Sequence, residues 1–115
     1  MGVKKTYSLV LGIVLGVVGI WGLFSNMLLG VFGVNILQSI LHLIAAAFGI
    51  YCGTKSNGKM YVMVIGWIGL ALGILGFIPG VNDLFLSLLN INLATTVLHL
   101  VIGVVSLGVY YLVKE

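Results

Sequence analysis

Two copies of a Leu-His-Leu triplet show that this chain contains an internal duplication. The triplets span residues 41–43 and 98–100, so the offset between the two histidines is 99 − 42 = 57 positions. Asn35 and Asn92 match at the same offset, and nine positions between residues 12 and 43 are identical to their partners. We therefore predict two halves of one architecture, with repeat 1 at about 1–57 and repeat 2 at about 58–115.

The composition excludes a water-soluble domain. Hydrophobic residues make up 62% of the chain and charged residues only 6%, with a mean hydropathy of +1.33, whereas a soluble domain carries about 25% charged residues. We expect a single transmembrane domain covering 1–115, with membrane lipid as its main surroundings. The net charge of +3 comes from five lysines near predicted segment ends, so the sequence does not indicate a nucleic-acid partner.

Four apolar segments have the length of membrane-spanning helices, which is about 20 residues. The connections between the first two and the last two, 25–34 and 81–91, are themselves apolar and fit segments lying at the bilayer surface. In the second connection, Asn82 or Asp83 is expected to cap a short helix over 84–89. The predicted spans are about 7–24, 35–53, 60–78 and 92–113.

The predicted fold class is all-α, a transmembrane four-helix bundle. Each repeat contributes one helical hairpin with a short outer interfacial segment, and because each has two spans the hairpins share one orientation. A pseudo-twofold axis along the membrane normal should therefore relate them.

The lysines predict how the chain is oriented. They precede the first span, join the second to the third and follow the fourth, and neither outer connection contains Lys or Arg. By the positive-inside rule, we expect a multi-pass protein of the cytoplasmic membrane with both termini in the cytoplasm. The lysines are Lys4, Lys5, Lys55, Lys59 and Lys114.

Glycines repeat along one face of the first and third spans. Small residues let apolar helices approach closely, and the GxxxG spacing is also a dimerisation signal. Two interpretations stay open, tight packing within one bundle and self-association between copies. The predicted helix-packing residues are Gly12, Gly16, Gly19, Gly69, Gly73 and Gly76.

The second and fourth spans each have a stripe of polar and small residues. Asn35 and Asn92 stand at the helix starts, where their side chains are expected to act as caps. Ser39 and Thr96 follow one turn later and are expected to form interhelical hydrogen bonds.

His42 and His99 are the candidate cofactor-binding residues. Each lies seven positions after its asparagine, about 10 Å from the outer end of its helix, and ionisable groups at that depth mark functional sites. A neutral imidazole hydrogen-bonded to Gln38, Ser39, Thr95, Thr96 or a backbone carbonyl is one interpretation. The alternatives are a haem or metal site and a proton or ion pathway.

The sequence contains no set of groups typical of catalysis. A nucleophile–base pair, a phosphate loop and a carboxylate pair are all missing from it, and the two histidines alone offer too few ligands for a metal site. We therefore expect a non-enzymatic protein without metal or cofactor, with a structural or self-assembling role. Haem or metal binding, or proton or ion transport, through the paired histidines is the alternative, and the sequence does not identify a small-molecule ligand.

Short motifs resemble those of a family of small bacterial four-helix membrane proteins. They are Leu-Gly-Phe-Ile-Pro-Gly at residues 75–80, after a glycine-rich helix, and an Asn…Leu-His-Leu helix in each half. The family is known only as a domain of unknown function. The resemblance implies a fold and a topology for nearly the whole chain, and it implies no activity.

Overall fold

The computed structural model describes residues 2–114. Met1 and Glu115, the ends of the predicted domain and of its two repeats, lie outside the described residues. Across residues 2–114 the regular secondary structure is helical apart from two very short strands. In chain order the elements are α1 (Val3–Gly22), β1 (Met27–Leu28), β2 (Phe32–Gly33), α2 (Ile36–Lys55), α3 (Lys59–Leu75), α4 (Val81–Leu89) and α5 (Leu93–Leu112).

The four longest helices pack mainly as two pairs. α1 lies along α2, and α3 lies along α5, while α1 and α2 have far fewer contacts with α3, and α1 has few with α5. The most extensive helix packing is therefore within each half of the chain, in an α1/α2 pair and an α3/α5 pair.

Three of the helices, α1, α2 and α5, are long and apolar enough to cross a membrane, which indicates a membrane protein. Each has 20 residues, or about 30 Å at 1.5 Å per residue, and the whole molecule is 39 Å long. The hydrocarbon core of a bilayer is about 30 Å thick, so this length matches the core together with part of the headgroup regions.

The helix α3 is shorter than its predicted span. It has 17 residues and ends at Leu75 rather than near residue 78. After Leu75 the backbone tightens, because Phe77 N–H donates to Ile74 O and Ile78 N–H donates to Leu75 O. The next residue, Pro79, has no N–H to donate and cannot extend the helix.

The connection between α1 and α2 contains a β-hairpin, which the sequence did not predict. Met27 pairs with Gly33 and Leu28 with Phe32. At the turn Leu29 and Gly30 both have positive φ, 55° and 71°, the arrangement of a type I′ turn. The apolar segment 25–34 is therefore a folded hairpin.

The connection between α3 and α5 contains the short helix α4, but its predicted cap is wrong. The N-cap is Gly80, with φ 89°, which has no side chain, and Asn82 Oδ1 accepts from the N–H of the next residue, Asp83, over 2.8 Å. Because glycine adopts this positive φ without strain, the helix starts at Val81 and places Asn82 and Asp83 inside its first turn. There Asp83 is exposed and favourably placed at the positive end of the helix dipole.

The six predicted helix-packing glycines all face the partner helix of their own pair. A Cβ added to Gly12 would lie 2.8 Å from Ile50 N, and one added to Gly69 would lie 3.0 Å from the Cα of Gly103. Gly16 and Gly19 also face α2, and Gly73 also faces α5, as does Gly76. Both glycine faces therefore pack within the chain.

The two lysines at the start of α1 contact the α2–α3 connection and α5 at one end of the molecule, which we call the inner end. Lys5 Nζ donates to Ser56 O over 2.9 Å, linking the start of α1 to the α2–α3 connection. Lys4 is buried, and its ammonium lies 5.1 Å from the ring centre of Tyr110 near the end of α5. The β-hairpin and α4 lie at the opposite, outer end.

Candidate functional site

At the outer end, two asparagines connect the halves of the chain. Asn35 is the N-cap of α2, and its Oδ1 accepts a hydrogen bond from Gln38 N over 2.8 Å, while Asn92 caps α5 by accepting from Thr95 N over 3.0 Å. Each amide group contacts the other half of the chain. Asn35 Nδ2 donates to Leu88 O over 2.8 Å, and Asn92 Nδ2 donates to Val31 O over 2.9 Å.

Three further side chains reinforce this connection. Gln38 Nε2 donates to Gly33 O (3.2 Å) and to Leu89 O (2.6 Å), and Thr95 Oγ1 donates to the same Gly33 O over 3.0 Å. Asn90 Nδ2 donates to Asn26 O and Val34 O over 2.9 and 2.7 Å. We call the five side chains that make these contacts the outer clasp: Asn35, Gln38, Asn90, Asn92 and Thr95.

Ser39 and Thr96 are buried on the faces that meet the partner helices. The Ser39 Oγ has no hydrogen-bond partner among the described residues, so the interhelical hydrogen bond expected of Ser39 is not formed. Its side chain instead packs against Gly22, where an added Cβ would collide with the hydroxyl. Thr96 packs in the equivalent way against Gly76.

The structure brings the two candidate histidines together. His42 on α2 and His99 on α5 have ring centres 6.4 Å apart, with an angle of 74° between the ring planes, an edge-to-face arrangement. Each Nδ1 atom is buried without a hydrogen-bond partner. The expected hydrogen bonds to Gln38, Ser39, Thr95 or Thr96 are therefore not formed at these atoms, and the imidazoles retain unused hydrogen-bonding capacity.

An apolar cavity of about 420 Å³ lies between the helix pairs, and both histidines line it. This volume is within the range of about 300–1,000 Å³ typical of small-molecule sites. All four long helices contribute to the lining, and Leu89 and Ile91 contribute from the outer end. Among the lining residues, the polar side chains are those of Gln38, His42 and His99.

Gln38 lines the cavity and has a further unused polar atom. The side chain is 3% exposed, and Oε1 is buried without a partner. A buried polar atom without a partner costs about 1–3 kcal/mol, and in a native protein it calls for an explanation, such as a bound water or ion or a catalytic role. Three unsatisfied atoms thus belong to residues around one cavity.

The chemistry available at this site is hydrogen bonding within an apolar surrounding. Within residues 2–114, no group of three or more His, Cys, Asp or Glu residues is placed to hold a metal ion. Each neutral imidazole offers one donor and one acceptor, and the Gln38 oxygen offers an acceptor. The residues therefore fit a mainly apolar ligand with a few hydrogen-bonding atoms.

Sequence reasoning named both histidines but did not anticipate the role of Gln38 or of Asn90. The sequence could have identified Gln38 as a site residue, because it is the single glutamine of the chain and lies four positions before His42. That spacing places the two on one helix face. No comparable local pattern marks Asn90, because its contacts are with the other repeat.

Comparison with known proteins places the chain in a family. The family described as "Domain of unknown function (DUF4383)" matches residues 5–112. Comparison with curated proteins and with solved structures finds no match. Because the matched region covers nearly the whole chain, this protein is a member of the DUF4383 family.

Proposed function

We propose that this chain is a non-enzymatic integral membrane protein that binds a small molecule between its two helix pairs. The observation that carries the proposal is the cavity between the pairs, where His42 and His99 face each other. Their unpartnered Nδ1 atoms and the unpartnered Gln38 Oε1 support a binding role, because burying polar atoms without partners opposes folding.

The proposal includes four membrane spans arranged as two tandem hairpins related by a pseudo-twofold axis. α3 supports a fourth span, because it packs along α5 and its 17 residues reach the lower end of the range of about 17–25 that can cross a bilayer. The lysines at the inner end support a cytoplasmic location for both termini in the cell membrane.

Native mass spectrometry of the purified full-length chain in mild detergent tests the binding role. Ala45 lines the cavity, whereas Ala47 on the same helix is exposed on the outside of the protein. We expect the wild type and Ala47→Phe to retain a co-purified small molecule and Ala45→Phe to lose it. Equal occupancy in all three proteins, or no bound molecule in the wild type, would contradict a binding role for the cavity.

A structural or self-assembling role is the second candidate. Large apolar side chains are exposed at the outer end, and Phe24 and Leu29 are 86% and 72% exposed. These side chains suit insertion into the bilayer surface or contact with another copy. Both glycine faces are used within the chain, so self-association would use other surfaces, and the outer segments are one of them. Crosslinking in native membranes tests this role: a dimer weakened by Phe24→Ser would support it, and a strict monomer would exclude it.

A further inference from the structure

We propose that the cavity selects an uncharged, lipophilic molecule carrying a hydroxyl group, held by Gln38, His42 and His99. This inference rests on the proposed binding function and specifies its ligand. Three observations support it: the Gln38 amide has a fixed orientation, one nitrogen of each imidazole lacks a partner, and the cavity lining contains no charged side chain.

The Gln38 amide is oriented by its neighbours. Its Nε2 donates to two backbone carbonyls, Gly33 O and Leu89 O, and a flipped amide would place oxygen against oxygen at both. The amide orientation is therefore set by the hydrogen-bond network. Oε1 is left as an acceptor, so the partner it lacks must be a donor.

The two imidazoles add a requirement for both kinds of hydrogen bond. A neutral imidazole has one protonated nitrogen, which donates, and one bare nitrogen, which accepts. A hydroxyl group both donates and accepts, so one group on the ligand can serve Gln38 Oε1 and an imidazole N–H together. An ether or a ketone accepts only, and it would leave the Gln38 oxygen without a partner.

The rest of the cavity favours an uncharged, lipophilic molecule. Apart from the three polar side chains, its lining is apolar, and it contains no Lys, Arg, Asp or Glu. Burial of an isolated charge in such surroundings is strongly unfavourable. None of the five lysines lines the cavity, and Lys5 donates instead to Ser56 O at the inner end. A haem, which carries two carboxylates, would find no cation in this lining.

A matched set of probes tests the hydroxyl requirement on the wild-type protein. The probes are 2-naphthol, naphthalene and 2-naphthoate, which share one ring system and differ in having a hydroxyl, no polar group or a carboxylate. Binding to the full-length chain in lipid nanodiscs is measured at neutral pH, with empty nanodiscs as the control for partition into lipid. We expect 2-naphthol to bind at least about tenfold more tightly than either of the others, a difference of about 1.4 kcal/mol.

Two variants assign that preference to the site. We expect His42→Leu with His99→Leu to prefer 2-naphthol over naphthalene less strongly than the wild type, because only Gln38 Oε1 remains as a partner for the hydroxyl, and Ala47→Phe to keep the wild-type preference. Circular dichroism checks that both variants are folded. Because the three probes are compared on the wild type first, the test does not depend on the folding of the double variant.

Several results would overturn the inference. They are equal binding of naphthalene and 2-naphthol, tighter binding of 2-naphthoate, and failure of all three probes to bind. A haem absorption band or a phospholipid acyl chain in the native complex would also overturn it. Failure of the proposed function would give a different result. The Ala45→Phe substitution, which fills the cavity, would then displace no co-purified molecule of any class.

Discussion

Asn35 and Asn92 make the same hydrogen bond in opposite directions across the molecule. Asn35 donates to Leu88 O, and Asn92 donates to Val31 O. The two acceptors are themselves equivalent in the duplication, since 31 + 57 = 88, the same offset that relates the two asparagines. Each half of the chain therefore binds the outer connection of the other half, and this reciprocity supports the proposed pseudo-twofold arrangement.

We expect Asn35→Ala and Asn92→Ala to destabilise the protein to a similar extent. Each variant loses a helix cap, worth about 1 kcal/mol, and a hydrogen bond to the other repeat, worth about 1 kcal/mol. Thermal unfolding in detergent, followed by circular dichroism, measures the loss. Asn82→Ala is the matched control, because Asn82 is exposed and its side-chain oxygen accepts from the N–H of its neighbour Asp83 rather than contacting the other half of the chain. An equal loss of thermal stability in Asn82→Ala would contradict the proposal that Asn35 and Asn92 stabilise the contact between the two halves of the chain.

The two glycines of the Gly12–Gly16 motif should respond differently to alanine. A Cβ at Gly12 meets backbone atoms of Ile50 and Gly49 at 2.8 and 3.0 Å, whereas one at Gly16 meets only Ala46 Cβ at 3.7 Å. We expect Gly12→Ala to cost about 1–3 kcal/mol of stability through overpacking. Gly16→Ala should be neutral or stabilising, by up to about 1 kcal/mol, because alanine favours helix.

Unfolding midpoints of the two variants in denaturant provide the measurement. The opposite order would indicate that α1 meets α2 through another face. A change in oligomeric state caused by Gly12→Ala would indicate contact between chains at this glycine.

Asn90 should tolerate glycine better than alanine. Its φ of 53° lies in the left-handed region, where a residue with a Cβ is strained by about 1–2 kcal/mol. Both variants lose the hydrogen bonds to Asn26 O and Val34 O, but only Asn90→Ala adds backbone strain. We expect Asn90→Gly to be more stable than Asn90→Ala by about 1 kcal/mol in thermal unfolding. If alanine were the better tolerated, the backbone at this position would not be left-handed.

Cysteine labelling tests the number of spans. In a Cys52→Ser background, Asn57→Cys places a thiol at the inner end and Asn82→Cys places one at the outer end. We expect an impermeant maleimide to label Asn82→Cys in intact cells, and Asn57→Cys only after permeabilisation. Labelling of both from the same side would mean that α3 does not cross the membrane, leaving the three longest helices as the spans.

Short-range sequence patterns predicted the helix caps and the glycine-containing helix faces. Asparagine at an apolar helix start indicates a cap, and both Asn35 and Asn92 are N-caps in the structure. The β-hairpin lacks such a signal, because Leu29 occupies a positive-φ position where Asn or Gly is usual. Glycine spacing likewise identified the packing faces, but spacing alone cannot distinguish packing within a chain from packing between chains.

The candidate site depends on contacts that no local pattern encodes. The duplication predicted equal depths in the membrane for His42 and His99. The distance between the two side chains, however, depends on how the two helix pairs pack against each other. The orientation of the Gln38 amide also cannot be predicted from local sequence, because it depends on Gly33 O in its own half of the chain and on Leu89 O in the other half. The cavity arises because contacts between the helix pairs are fewer than those within them.

The distance between the two imidazoles is the most direct test of this account. Since His42 and His99 are the two histidines of the chain, histidine labelled with ¹³C in the ring marks the site alone. Solid-state NMR of the labelled protein in liposomes, diluted with unlabelled chains, then reports contact within one molecule. The account predicts a cross peak between the two rings that corresponds to ring centres 6.4 Å apart. Absence of that cross peak in the diluted sample would contradict a shared site, as would a contact seen only without dilution.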